Sequence, residues 1–186
     1  NKLIDNGVKV NTKVCEDDAK ELNKAFFHKY KYTKPYIRLK VGVSIDGKIA
    51  DEKKESKWIT SKESRNFVQE LRAEVNGIIT TSNTVISDNP KMNIRDNQVL
   101  KKTISQPALI ILDSKLRVPT KANIFKTDRL IIIVADIKYA SSTPLRIYKD
   151  NVVIKYVKTK NSKINLKDIY AIAKTYHLDD LLVESG

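Results

Sequence analysis

A chain of 186 residues, 41% hydrophobic and 31% charged, has the size and balance of one globular domain with its own core. No apolar run nears the roughly 20 residues of a membrane helix, no basic-then-apolar leader opens at Asn1, and one cysteine, Cys15, excludes an internal disulfide framework, so a reducing cytoplasm is expected. The net charge of +13 comes mostly from lysines scattered from Lys2 to Lys174, so a solvated surface is expected, with a polyanion-binding face as the alternative.

Residues 16–30 read as a helix, with acids at the start and Ala19, Leu22, Phe26 and Phe27 on an apolar side. The polar stretch 29–35 ends in Pro35 and reads as a linker. Over 36–44, Ile37, Leu39, Val41 and Val43 alternate with other residues, the period of a strand. After the Asp46-Gly47 turn and a charged loop over 51–57, Thr60 and Glu63 have capping-box spacing. They predict a helix with an apolar stripe of Phe67, Val68, Leu71 and Val75, closed by Asn76-Gly77. Strand-like runs follow at 78–81, Ala108–Leu112, 130–135 and Val152–Val157, then a helix over 166–176 and a strand over 181–183.

Strands alternating with helices predict an α/β fold with a mostly parallel central sheet flanked by helices, and a ligand crevice at the strand ends. A sheet ending on the strand at 181–183 would leave that strand without a covering element, so the chain reads as truncated.

Pattern alone gives no reaction; five word-like segments do. They are 34–50 (KPYIRLKVGVSIDGKIA), 56–61 (SKWITS), 80–90 with 93–95 (TTSNTVISDNP and NIR), 112–119 (LDSKLRVP) and 182–186 (LVESG). In order and spacing they resemble the reductase half of the bifunctional pyrimidine deaminase/reductases of bacterial riboflavin biosynthesis, whose fold is dihydrofolate-reductase-like. The resemblance covers 34–186, which it marks as a reductase domain lacking its C-terminal part. Residues 1–33, including Glu21-Leu-Asn-Lys-Ala-Phe26, resemble the tail of a deaminase domain and its linker, and the zinc signature of such a deaminase is absent.

The reaction implied is reduction, by NADPH, of the phosphoribosylamino group of a uracil intermediate to a phosphoribitylamino chain. It needs cations for the phosphate, a surface for the cofactor, and a polar group near the reacting carbon. The resemblance implies substrate contacts from Ser56, Arg72, Met92, Arg95 and Glu184, the arginine forks suiting a phosphate or a uracil carbonyl. It implies cofactor contacts from Gly42, Trp58, Thr84, Asp88, Ser114 and Gly186. A glycine in a strand permits close approach of a ring, and Gly186 would open a glycine-containing phosphate loop.

Read from the residues alone, Arg72 is equally a surface arginine, Met92 and Trp58 are core residues, and Thr84 and Ser114 are turn hydroxyls. Asp88 is the catalytic candidate, set near the reacting carbon to move a proton or stabilise a developing cation; its segment Ser87-Asp-Asn-Pro90 is equally an ordinary turn. Relatives often carry a second aspartate where this chain has Asn89.

His28, His177 and Cys15 are too few and too dispersed for a metal site. Three alternatives stand beside the reductase: a stand-alone reductase acting before deamination, a basic nucleic-acid-binding module, and a folded but inactive fragment. The expected partner is the phosphorylated ribosylaminopyrimidine substrate, with no nucleic acid and no membrane, and the resemblance implies a homodimer for the intact protein.

Overall fold

A computed structural model describes residues 2–52, 59–141 and 148–185. In chain order the described elements are α1 (Lys2–Asp5), α2 (Glu16–Leu22), α3 (Lys24–Tyr32), β1 (Tyr36–Lys40), α4 (Lys62–Ala73), β2 (Gly77–Thr81) and α5 (Ser82–Asp88). They continue with α6 (Asn97–Leu100), β3 (Ala108–Leu112), β4 (Ile131–Asp136), β5 (Val152–Val157), α7 (Leu166–Thr175) and β6 (Asp180–Glu184). Short 3-10 turns lie at Asn123–Lys126 and Ile137–Tyr139.

The unbroken apolar runs become inner strands because both of their faces are covered. The six strands form one sheet in the order β1-β6-β2-β3-β4-β5, every pairing parallel. Alternate residues feed two cores. Ile78, Leu109, Ile111, Ile131 and Ile133 pack with Val85, Ile124 and Phe125 on one face. Ile79, Ile110, Ile132 and Val134 pack with Ile169, Ile172 and Ala173 of α7 on the other. Because all strands run the same way, Lys40, Glu184, Thr81, Leu112, Asp136 and Val157 end along a single edge of the sheet.

Several expectations need correction. The helix expected over 16–30 is two helices that part at Asn23, whose side chain donates to the Ala19 carbonyl at 2.9 Å and competes with the helical backbone. Its apolar side is exposed, with Leu22 at 86%. The linker shortens, because α3 runs on to Tyr32 before Thr33 turns into the left-handed region at φ 54°.

The strand expected over 36–44 stops at Lys40, and its apolar residues Ile37 and Leu39 point outward while Tyr36, Arg38 and Lys40 are half-buried. The cap of α4 is Ser61, not Thr60: its Oγ accepts from the Ser64 N–H at 3.2 Å. Phe67 is exposed, and the buried residues of α4 are Gln69 and Arg72. Gly77 does not close that helix. It begins β2, where a Cβ would lie 2.6 Å from Leu181 Cδ2, so the residue permits close packing on the adjoining strand. The strand at 181–183, expected to be uncovered, is part of β6, paired to β1 on one side and β2 on the other.

Candidate active site

At the carboxyl ends of β1, β6 and β2 the chain encloses a cavity of about 240 Å³. Its lining includes Lys40 at the end of β1 and Gly42 just after it, Thr60 before α4, Arg72 from α4, Thr84 and Asp88 from α5, Met92 from the loop that follows, and Glu184 from β6. Topology explains the meeting, since a parallel sheet delivers every strand end, and the helix after it, to the same edge.

The floor is a buried ion pair. Arg72 donates from Nε to Glu184 Oε1 at 2.7 Å and from Nη2 to Oε2 at 2.9 Å, a bidentate fork. Its remaining Nη1 donates to the Asn93 carbonyl at 2.9 Å. Both side chains are under a tenth exposed. The fork of Arg72 is therefore taken by the protein, and Arg72 and Glu184 present a fixed, closely paired surface to the cavity.

Two further arginines lie near this pair. Arg129 is buried, and its pKa is drawn down to about 10 by burial first and by Arg72 next, with Glu184 acting the other way. Arg95 shifts in the same direction for the same causes in the same order. Arg95 and Arg129 thus lie close enough to the Arg72–Glu184 pair to feel its charges, although neither lines the cavity. Lys40, half-buried at the cavity, makes no ion pair among the described residues.

The helix α5 places Thr84 and Asp88 on the cavity side. Thr81 caps it, its Oγ1 accepting from the Thr84 N–H at 3.4 Å and lying 3.1 Å from the Thr84 hydroxyl. Asp88 is the last residue of α5, exposed, and accepts from Ser87 Oγ at 2.6 Å. Asn89 ends the helix in the left-handed conformation at φ 43°, which asparagine tolerates better than most residues. That backbone role suits the asparagine at this position.

Of the residues expected at the site, Gly42, Arg72, Thr84, Asp88, Met92 and Glu184 line the one cavity. Gly42 lies beyond the end of its strand, and a Cβ there would meet only Thr60 Cγ2 at an ordinary 3.5 Å. Arg95 stands at the surface outside that lining, its backbone N–H donating to Gln69 Oε1 at 2.8 Å. Ser114 follows β3 farther along the same sheet edge and is half-buried, its carbonyl accepting from the Asp136 N–H at 3.0 Å. Ser56, Trp58 and Gly186 lie outside the described residues.

Sequence reading passed over Lys40 and Arg129. Lys40 stands inside the first word-like segment and sits at a strand end, a signal that was available; Arg129 sits in no segment that marked it.

The family model of the RibD C-terminal domain matches residues 35–186. The riboflavin biosynthesis protein RibD of Aquifex aeolicus is 37% identical over 191 residues, an alignment taking in 100% of this chain and 49% of the relative. The 5-amino-6-(5-phosphoribosylamino)uracil reductase of Buchnera aphidicola subsp. Acyrthosiphon pisum is 33% identical over 140 residues, 71% of this chain and 65% of that protein. Among solved structures, a diaminohydroxyphosphoribosylaminopyrimidine deaminase/5-amino-6-(5-phosphoribosylamino)uracil reductase from Thermotoga maritima superposes with a TM-score of 0.82 at 25% identity, covering 100% of this chain and 48% of that one. The chain therefore spans about half the length of the bifunctional relatives it matches. Its parallel sheet with flanking helices is the dihydrofolate-reductase-like fold of those neighbours, and the chain belongs to the RibD C-terminal domain family.

Proposed function

We propose that this chain is the reductase unit of a riboflavin-biosynthesis protein and that it reduces 5-amino-6-(5-phosphoribosylamino)uracil to the phosphoribitylamino product with NADPH. A nicotinamide cofactor is general to reductases of this pathway; the choice of NADPH is part of the proposal. The observation that carries it is the convergence of Gly42, Arg72, Thr84, Asp88, Met92 and Glu184, spread over the whole length of the domain, on one cavity.

The fit to a nicotinamide cofactor rests on the side of the cavity formed by Gly42, Thr84 and Asp88, with Ser114 next along the strand ends. Gly42, the hydroxyls of Thr84 and Ser114 and the carboxylate of Asp88 would hold the cofactor, which when bound supplies the hydride. Lys40, at the cavity with no ion pair of its own among the described residues, would pair with the phosphate of the substrate. The closed Arg72–Glu184 fork presents a rigid polar edge that orients the pyrimidine, and Met92 packs against it. Asp88 sits near the carbon that accepts hydride, where its carboxylate stabilises positive charge developing there or passes a proton. Ser56, Arg95, Trp58 and Gly186 complete the proposed site.

Residues 1–33 are read as the tail of a preceding deaminase domain. In support, the Aquifex alignment takes in all of this chain, whereas the family model starts at residue 35. The intact protein is read as a homodimer.

The test is Asp88→Asn in the full-length protein. Turnover should fall by roughly 10²–10⁴-fold, the usual worth of a positioned acid or base, while circular dichroism and the thermal midpoint show the variant folded. Near-normal turnover by the folded variant removes Asp88 from the chemistry.

A further inference from the structure

The loop from Pro90 to Arg95 brings Met92 to the cavity and follows directly on Asp88, yet no backbone–backbone hydrogen bond holds it among the described residues. Side chains from elsewhere do so instead. Arg129 donates from Nη1 to the Met92 carbonyl at 2.5 Å and from Nη2 to the Lys91 carbonyl at 3.0 Å. Arg72 takes the Asn93 carbonyl at 2.9 Å. Gln106 brackets Ile94, accepting from its N–H at 2.8 Å and donating to its carbonyl at 2.9 Å. Gln69 accepts from the Arg95 N–H, and upstream Asn123 donates twice to Asn89.

Such an arrangement costs free energy that ordinary loop packing would not. Met92 is held at φ 47°, a left-handed conformation unfavourable for a residue with a long side chain. Arg129 is 6% exposed, makes hydrogen bonds to carbonyls rather than to a carboxylate, and leaves its Nε without a partner. A strained backbone and an arginine buried without a bonded anion persist only where the surroundings over-determine them, and such features gather at functional sites. The rigid planar fork of a guanidinium reaches two successive carbonyls with less loss of side-chain freedom than a lysine would.

We propose that Arg129 is a positioning residue for the reaction proposed above, on which this inference rests: its buried guanidinium clamps the Lys91 and Met92 carbonyls and so fixes the wall of the cavity that Asp88 and Met92 form. Arg129 does not line the cavity and acts through the loop.

The experiment compares wild type, Arg129→Lys and Gln106→Met in the full-length protein by residue-resolved hydrogen exchange and by steady-state kinetics with NADPH and the ribosylaminopyrimidine. In Arg129→Lys the Ile94 and Arg95 amides should exchange at least about tenfold faster while those of Ile110 and Ile132 in the central strands do not change. Its kcat should fall by roughly 10–100-fold, as expected for a misplaced wall, with a smaller effect on KM for NADPH. Gln106→Met loosens the same loop without touching the buried charge, and should lower kcat in the same sense if the lysine variant fails to fold. The proposal is overturned if folded Arg129→Lys keeps the Ile94 and Arg95 protection, or loses it with kcat and KM unchanged. A wild type that is silent in turnover overturns the proposed reaction and any role for Arg129 in it; an active wild type with unaffected variants overturns the role of Arg129 alone.

Discussion

Arg72 and Glu184 show how a buried ion pair turns geometry into a constraint. Each is under a tenth exposed, and each satisfies the other's hydrogen-bonding capacity across 112 positions of sequence. Removing one partner leaves the other charge buried and unpaired, so Glu184→Gln should lower unfolding stability by about 3–5 kcal/mol. Replacing both, Arg72→Met with Glu184→Met, should cost less than Glu184→Gln alone. Urea unfolding of both variants checks this; a double replacement that costs more than Glu184→Gln would contradict it. At this scale the sequence was partly readable. Glu184 and Arg72 each stand in recognisable contexts, but that they bind each other was not, because spacing carries no information about contacts between a helix and a strand so far apart in the chain. Arg129 was illegible for the same reason, its carbonyl partners lying 37 and 38 residues away.

Elements were legible where one force dominates. The bounds of β3 and β5 follow from apolar runs between polar flanks, and β3 is buried on both faces. The face of α4 was misread because its buried side is polar: Gln69 and Arg72 turn toward the loop and Glu184, while Phe67 stays exposed. Gly77 was misread as a helix stop because Asn-Gly is a strong local turn signal, whereas here the need is packing against Leu181. Gly77→Ala forces a Cβ against a fully buried leucine and should cost about 1–3 kcal/mol in thermal or urea unfolding. An unchanged midpoint would show that Leu181 yields freely.

The end of β4 supplies a pH test at the same scale. The Asp136 carboxylate accepts from the Thr159 hydroxyl and then from the Lys138 N–H, and these hold its pKa below the ordinary 3.8. A carboxyl with a depressed folded pKa contributes stability that is full above its unfolded value and is lost as pH falls through the folded one. Asp136→Asn should therefore flatten the acid limb of the thermal midpoint below about pH 4. An acid limb identical to that of wild type would remove Asp136 from the account.

Over the whole molecule, the class of fold was readable from strands alternating with helices, but the strand order was not. The last strand in sequence, β6, inserts between β1 and β2, and only that insertion brings Glu184 beside Lys40 in register and within reach of α4. The cavity is thus a property of topology, with its residue types written in the sequence and its assembly dependent on the sheet. No described helix is long and apolar enough to cross a membrane.

The measurement that bears most directly on the proposed activity is a single one: the full-length protein mixed with NADPH and 5-amino-6-(5-phosphoribosylamino)uracil, following both loss of NADPH and formation of the ribityl product. The account predicts one product formed for each NADPH consumed, with no consumption when the pyrimidine is withheld. A folded protein that binds neither compound and consumes no NADPH would contradict it.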